Sequence, residues 1–147
     1  MAEIAVFQDQ QSSGVAGDTV TTTMADMTLN TVIPMGSGIT GASLTSNKFT
    51  LPIGDYIVNV FDPIFVVNQS YTTKYYIRDN SNNVLDSATG YGPSITGYTV
   101  AKITLTFSLS VETELKLSCR NPVFGTPSRP ATSDGVEYYQ KIIIQKL

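Results

Sequence analysis

The 147-residue chain contains one cysteine and no histidine, which limits the chemistry that its side chains can perform. Without an imidazole there is no Ser-His-Asp triad, no Cys-His pair and no histidine-based metal site. Cys119 shares the strand parity of Leu115 and Leu117, which indicates a small buried hydrophobe rather than a nucleophile. The glycines form no phosphate-binding or dinucleotide-binding pattern. We therefore expect no catalytic residue, no cofactor and no enzymatic activity.

Carboxylates are the remaining groups that could do chemistry. Glu112 and Glu114 form an i, i+2 pair, whereas a glycosidase needs its two carboxyl groups on opposite sides of a cleft. Loop carboxylates can also bind calcium. Six aspartates lie in or near predicted loops: Asp9, Asp18, Asp26, Asp79, Asp86 and Asp134. No EF-hand spacing is present, so we interpret them as solvated loop carboxylates and expect no metal site.

Charge and hydropathy exclude two classes of partner. The formal net charge is −3, and the 9 lysines and arginines are scattered, whereas a nucleic-acid partner requires a clustered basic face. No apolar run approaches the ~20 residues of a membrane span. The N-terminal residues do not resemble a signal peptide either. We expect neither a nucleic-acid nor a membrane partner.

The stretch Ile103–Cys119 alternates apolar and polar residues throughout. One strand of this length would reach roughly 55 Å, about three times the common strand length. We therefore predict a hairpin at Val111–Glu114, with antiparallel strands at about 99–110 and 114–121. Each strand would bury one face and expose a polar face. Short strands separated by turns favour an all-β sandwich or jelly roll.

The rest of the chain supports a single all-β domain covering residues 1–147. Tyr56–Val67 is apolar at nearly every position, which predicts a strand buried on both faces. Asp62-Pro63 interrupts it and predicts a bulge, kink or break. Asp79–Asn83 predicts a hairpin turn, since Asn and Asp tolerate a left-handed backbone. About nine or ten strands and no helix follow.

The last strand, Val136–Leu147, carries large apolar groups on both faces. We expect such a strand to lie between its own core and a neighbouring subunit, with Tyr139, Ile143 and Leu147 toward the neighbour. The eight tyrosines could serve in a core, a subunit interface or a sugar-binding surface. The loop segment Pro122-Val123-Phe124 could pack back onto the core or contact a partner.

Five segments resemble the C1q/TNF-like jelly-roll domain in the version found in phage virion proteins. They are Phe7–Val20, Thr28–Ile33, Gly41–Val60, Glu114–Asn121 and Gly135–Leu147. They occur in the family's order and span nearly the whole chain. The most specific element is FTLPxGxY, at Phe49–Tyr56.

The resemblance implies a ten-strand jelly-roll sandwich that forms a compact homotrimer. In such trimers the inner sheet, with the first and last strands, lies toward the three-fold axis. Tyr139 and Ile143 are then interface candidates, together with Phe61 and Phe65 from the doubly apolar strand and Leu147 at the end of the last one. The family has no shared enzymatic activity, and fold alone does not fix function.

The functional expectation is a non-enzymatic structural protein on the outer surface of a phage particle, made in the host cytoplasm. The domain forms essentially the whole chain, which favours a trimer that decorates or cements the capsid, with the major capsid protein or another virion protein as partner. The alternative is the tip of a tail or head fibre that recognises a host glycan or protein. Tyr91, Pro122, Val123 and Phe124 are the predicted partner-contact loop residues. A cellular C1q-like domain is a third interpretation.

Overall fold

The computed structural model describes residues 2–36, 38–121 and 128–147, except for the side chains of 67–71 and 93–95. This part of the chain forms nine strands. They are β1 (Glu3–Gln11), β2 (Ala25–Asp26), β3 (Thr31–Ile33), β4 (Ser43–Thr45), β5 (Lys48–Leu51), β6 (Gly54–Asp79), β7 (Val84–Leu109), β8 (Thr113–Arg120) and β9 (Glu137–Lys146). The all-β prediction is confirmed.

The two 26-residue strands β6 and β7 form one antiparallel ribbon that folds over and contributes to both layers of a sandwich. Layer 1 has the order β3-β1-β9-β6-β7 and uses residues 54–66 and 97–109 of the ribbon. Layer 2 has the order β4-β5-β8-β6-β7 and uses residues 72–79 and 84–92, with β2 on β8. Counted by layer, the described residues form 11 strands, close to the ten predicted.

We call the end of the sandwich where the ribbon passes between layers the crossover end, and the other the turn end. The turn end contains the predicted hairpin turn, which the structure confirms. The Asp79 carboxylate accepts hydrogen bonds from the backbone N–H groups of Ser81 and Asn83, each at 2.9 Å. Asn82 adopts a positive φ of 65°. Hydrogen bonds from the side chain and backbone of Asn83 lower the pKa of Asp79.

The predicted hairpin at Val111–Glu114 is wrong. Both segments alternate as expected, but residues 97–109 of β7 and strand β8 belong to different layers, and β7 does not pair with β8. β8 pairs instead with β6, where Tyr75 lies opposite Cys119, and with β5. Alternation reports that one face of each strand is buried, whereas it carries no information about which strand lies beside it.

Pro63 does not break β6, in contrast to the prediction of a bulge, kink or break there. The strand continues through it, and the register shifts begin only after Val66. On the β9 side, Phe61 pairs with Lys141, and Phe65 exchanges backbone hydrogen bonds of 2.8 and 3.0 Å with Ser128. Pro63 falls between these contacts, where its missing N–H removes no hydrogen bond from the ladder.

The core fills the space between the layers. Alternate residues of β6 and β7 point inward, and the rings of Phe7 in layer 1 and Phe49 in layer 2 are 5.8 Å apart. Cys119 is buried there as predicted. Burial raises the pKa of its thiol to about 12, although the nearby Arg129 acts in the opposite direction. A thiol this hard to deprotonate is a packing group rather than a nucleophile.

A buried ion pair crosses the core near the crossover end. The side chains of Asp62 and Arg129 are both 0% exposed. The guanidinium Nε of Arg129 donates to Asp62 Oδ1 at 2.7 Å, and its Nη2 donates to Asp62 Oδ2. The Tyr75 hydroxyl, from layer 2, donates to Asp62 Oδ2 at 2.5 Å. The carboxylate therefore joins β6, the opposite layer and the segment that follows residue 127.

The charges in this cluster are tightly coupled. Burial alone would lower the pKa of Arg129, but the Asp62 carboxylate raises it above its ordinary value. Burial, followed by the charge of Asp62, raises the pKa of Tyr75 well above its ordinary value. The guanidinium stays charged and the phenol neutral, so the cluster holds one paired negative and one paired positive charge.

Replacing Arg129 by methionine is expected to lower the free energy of unfolding by about 3–5 kcal/mol, because Asp62 would remain buried without its counter-ion. Urea titration measures the change. Lys48→Met is the matched control, since its 3.7 Å pair with Glu114 is exposed and should be worth about 0–1 kcal/mol.

The triple variant Asp62→Leu, Tyr75→Phe, Arg129→Met tests the cause of that loss. It removes the three polar side chains of the cluster at once and is expected to recover most of the stability. A loss below about 1 kcal/mol in Arg129→Met, comparable with the control, would show that the ion pair does not organise this end of the sandwich.

Candidate interaction surface

The outward side of layer 1 is apolar near the crossover end. In β6 the even positions from Tyr56 to Val66 face the core, so the odd positions face outward. We call the patch formed by these outward side chains and their neighbours on β7 and β9 the apolar face. It consists of Phe61, Pro63, Phe65, Tyr98, Val100, Tyr138 and Ile143.

Two adjoining hollows shape the apolar face. A groove of ≈ 330 Å³ lies between β6, β7 and β9. Its lining residues are Gln8, Phe61, Pro63, Val100, Tyr138, Tyr139, Lys141 and Ile143. A smaller hollow of ≈ 180 Å³ shares Pro63, Tyr138 and Tyr139 with it and continues to Phe65 and Tyr98. The rings of Phe65 and Tyr98 meet edge to face, 4.9 Å apart.

Polar side chains also line the two hollows, Gln8 in the groove and Ser128, Thr132 and Glu137 in the smaller hollow. Lys141 lines the groove, and the Lys102 ammonium lies 5.4 Å from the centroid of the Phe61 ring. Toward the turn end the same layer becomes polar, where Thr104 donates to Asn59 Oδ1 at 2.8 Å. The outward aromatic side chains of β6 and β7 in this layer are therefore grouped in its crossover half.

Four of the five predicted interface residues meet at this surface. Phe61, Tyr139 and Ile143 line the groove, and Phe65 lines the adjoining hollow. Leu147 lies apart, at the turn end, where its side chain is 70% exposed and its backbone N–H donates to the Asp55 carbonyl at 2.9 Å. Their role in an interface remains a prediction.

Of the four predicted partner-contact residues, Tyr91 alone lies within the described part of the chain. Tyr91 is 76% exposed on β7, close to where the ribbon crosses between layers. Pro122, Val123 and Phe124 lie outside the described residues.

Tyr139 is covered by its own chain, unlike its neighbour. Its side chain is 6% exposed, and its hydroxyl donates to the Val15 carbonyl at 2.8 Å. Tyr138 is 57% exposed. The cause is a bulge, because Gln8 pairs with Lys141 and Gln10 with Tyr138, which leaves an additional residue in β9. Strict alternation along β9 could not have identified Tyr138 as an outward residue.

Gly17 holds the covering loop against Tyr139. A Cβ atom at residue 17 would lie 2.7 Å from Tyr139 Cγ and 3.0 Å from Arg129 Cβ. The Gly17 N–H also donates to the Arg129 carbonyl at 3.0 Å. Only a residue without a side chain allows the loop to approach the ring this closely.

Gly17→Ala is expected to lower the free energy of unfolding by about 1–3 kcal/mol, because the methyl group has no space beside the Tyr139 ring. Gly90→Ala is the matched control, since its Cβ would meet nothing closer than 3.5 Å. Thermal or urea unfolding measures both variants, and equal losses would contradict the packing described for residue 17.

A polar cluster lies behind this surface, and it corrects the interpretation of two aspartates as solvated loop groups. Asp9 is on β1 and fully buried, and Asp18 is half-buried. The Gln140 amide nitrogen donates to Asp18 Oδ2 at 2.8 Å and to the Thr28 carbonyl at 2.6 Å, and lies 3.5 Å from Asp9 Oδ2. Asn30 Nδ2 donates to Asp9 Oδ1 at 3.0 Å.

Burial raises the pKa of Asp9 to about 6, and the neighbouring charge of Asp18 acts in the same direction, whereas the hydrogen bond from Gln11 lowers it. Sequence reasoning missed both this cluster and the Asp62–Arg129 pair. The one available signal was the position of Asp62 inside an apolar run, whereas Asp9 is flanked by glutamines.

Within the described residues no cluster of three or more histidine, cysteine, aspartate or glutamate side chains could hold a metal ion. In the same part of the chain no helix is long and apolar enough to span a membrane.

No known protein family matches this sequence, and no curated protein does so. Among solved structures the chain is similar to murine APRIL at pH 5.0, with a TM-score of 0.60 and 11% identity over 100% of both chains. A second murine APRIL structure, at pH 8.5, gives 0.57 and 10% over 99% of this chain and 100% of the other.

The chain is also similar to Eiger TNF from S. frugiperda, with a TM-score of 0.53 and 14% identity over 99% of this chain and 92% of the other. At these identities the likeness concerns the fold alone. The chain therefore has the TNF-like jelly-roll sandwich fold that its sequence predicted.

Proposed function

We propose that this protein is a non-enzymatic structural protein that assembles as a homotrimer through the apolar face. The main support for this proposal is the apolar face, which groups Phe61, Pro63, Phe65, Tyr98 and Ile143 on the outward side of one layer. Patches of aromatic and aliphatic side chains with charges at the margin are typical of subunit interfaces. The family resemblance implies that this layer faces the three-fold axis.

The distribution of polarity supports a contact limited to one half of the layer. Aromatic rings occupy the crossover half, whereas Asn59, Thr104, Thr106 and Ser108 occupy the turn half. Subunits packed through the crossover half would bury the groove and leave the polar half accessible to water. A closed symmetric assembly buries such a patch on every copy and leaves none exposed.

Light scattering after size exclusion is expected to give a mass of about 48 kDa, three times the 15.9 kDa of one chain. Phe61→Glu places a charge in the groove and should shift the protein toward one chain, because a buried unpaired charge opposes association. A mass of one chain for the unaltered protein would rule out the trimer.

Val111→Glu is the matched control for this experiment. Val111 is apolar, like Phe61, and its side chain is exposed. It lies between β7 and β8 at the turn end, away from the apolar face. It should leave the mass unchanged. Circular dichroism confirms that both variants keep their strands, so a shift seen equally in both would show that the contact does not involve the apolar face.

We further propose that the trimer lies on the surface of a phage particle and cements its capsid. This rests on the resemblance to phage virion proteins, which implies a jelly-roll domain that forms compact trimers. A trimer that contacts several capsid subunits stabilises the folded shell by mass action, since it binds the intact form preferentially.

Particles that lack this protein are therefore expected to release their genome at a lower temperature than complete particles. Adding back the purified protein should restore the original temperature, whereas Phe61→Glu protein should not. Identical release temperatures with and without the protein would contradict cementing.

The exposed ring of Tyr91 supports a second candidate, the receptor-binding tip of a fibre. In that case purified protein would compete with phage for adsorption to host cells. Tyr91→Ala should then abolish competition while leaving the mass and the thermal release temperature unchanged.

A further inference from the structure

The amide group of Gln140 is surrounded by more hydrogen-bond acceptors than it can serve. Three oxygen atoms lie within 3.5 Å of its nitrogen: Thr28 O, Asp18 Oδ2 and Asp9 Oδ2. A primary amide has two hydrogen atoms, and the two shorter contacts, 2.6 and 2.8 Å, use them. Asp9 Oδ2 is therefore the oxygen left without a full hydrogen bond in a buried site.

The other oxygen of Asp9 is already satisfied. Asp9 Oδ1 accepts hydrogen bonds from Gln11 Nε2 at 2.6 Å and from Asn30 Nδ2 at 3.0 Å. An ionised Asp9 would therefore leave negative charge on a poorly solvated Oδ2, next to a second carboxylate. Such an arrangement favours one added proton.

The surrounding charges do not supply a counter-ion. The negative charge of Asp18, on the loop before β2, raises the pKa of Asp9. On β9, Glu137 and Tyr139 are acidic groups as well: burial and then the charges of Glu137 and Asp9 raise the pKa of Tyr139. The charge of Arg129 acts in the opposite direction and lowers the pKa of Asp9. The three nitrogens of Arg129 are engaged by Asp62 and by the carbonyl of Asp18. The amide nitrogen of Gln140 lies 2.8 Å from Asp18 Oδ2 and 3.5 Å from Asp9 Oδ2, so it is the group that contacts both carboxylates.

We propose that the buried Asp9 carboxyl carries a proton, and that the loss of this proton releases the loop 12–18 from the crossover end. Asp18 anchors this loop, since it accepts from the Thr28 N–H at 2.6 Å and from the Thr28 hydroxyl at 2.8 Å. Repulsion from an ionised Asp9 acts directly on that anchor. The pair is thus a pH-dependent latch, and it requires no particular oligomeric state.

The direction of the pH effect follows from the raised pKa of Asp9. In the unfolded chain the carboxyl would titrate near 3.8, and in the folded chain near 6. Between these values the folded state binds more protons, so stability is highest at the acid side of this window. The contribution of this proton to the free energy of unfolding is lost as pH rises through about 6, and the contribution changes little above that pH.

Other carboxylates affect the stability of the fold in a separate, lower range of pH. The pKa values of Asp26, Asp79 and Glu137 are lowered from 3.8, 3.8 and 4.5, so their contributions disappear only as pH falls below those values. The range from about pH 5 to about pH 7 therefore isolates Asp9.

Carbon-13 NMR of the aspartate side-chain carboxyl groups tests the proton directly in the unaltered protein. The Asp9 signal is expected to titrate with a midpoint near 6. Asp18→Asn removes the neighbouring charge and should lower that midpoint. A midpoint near the ordinary value of about 4 would overturn the proposal.

Urea unfolding tests the energetic consequence. The unfolding equilibrium constant should increase about fivefold between about pH 5 and pH 6, reach about tenfold by about pH 7 and then level off. Asp9→Asn should remove this dependence, and Asp134→Asn, an exposed control, should keep it. Equal pH dependence in the two variants would contradict the proposal, and if Asp9→Asn does not fold, the carboxyl titration decides alone.

Hydrogen exchange tests the latch itself. Protection of the Gly17 and Thr28 amides, corrected for intrinsic rates, should fall by up to about tenfold between about pH 5 and about pH 7.5. The Met27 amide, bonded to the Leu117 carbonyl at 2.8 Å, is the internal reference and should not change. Unchanged protection at Gly17 and Thr28 would show that the loop is not controlled by this proton.

Discussion

A carboxylate in the core of a β-sandwich must be neutralised where it lies, and at Asp62 this requirement organises the crossover end. Desolvating a single charge costs several kcal/mol, so Asp62 is tolerated only with Arg129 and the Tyr75 hydroxyl in place. Arg129 in turn donates to the Asp18 carbonyl at 2.6 Å and accepts from the Gly17 N–H. One buried charge thus fixes both layers, the segment after residue 127 and the loop before β2.

The apolar face depends on the same arrangement. Asp62 points inward, so Phe61 and Pro63 point outward on either side of it. The strand β9 pairs with β6 only from Lys141 onward, and Pro63 lies beside the unpaired residues that precede it. The groove is therefore a consequence of strand separation, and the ion pair connects β6 to the segment that follows residue 127.

Sequence reasoning succeeded where periodicity decides the answer. Burial of Leu105, Phe107, Leu115 and Leu117 follows from two-residue alternation, and the turn at Asp79–Asn83 follows from local backbone preference. It failed where distant residues decide. Residues 97–109 of β7 and strand β8 lie in different layers because of the strands that pair with them, and the alternation would be the same if they paired with each other.

In the candidate site, too, some residues follow from strand periodicity and others depend on distant parts of the chain. Phe61 and Ile143 could be identified because both are outward apolar residues on strands with buried opposite faces. Tyr138 could not, because the bulge in β9 depends on the pairing of Gln8 and Gln10 in β1. Arg129 lies in a loop of polar and proline residues, and nothing local indicates that it is fully buried.

The two buried carboxylates beside the apolar face are neutralised in different ways, and the difference has a physical consequence. Asp62 is paired with a guanidinium, whose charge does not change at any pH that a protein meets, so this part of the crossover end is permanent. Asp9 faces an amide and a second carboxylate, so its neutralisation depends on a proton. Both connect to Tyr139 and its covering loop, one through Arg129 and Gly17, the other through Gln140 and Asp18. The permanent contact keeps the apolar face in place, and the conditional one adjusts how firmly the loop behind it is held.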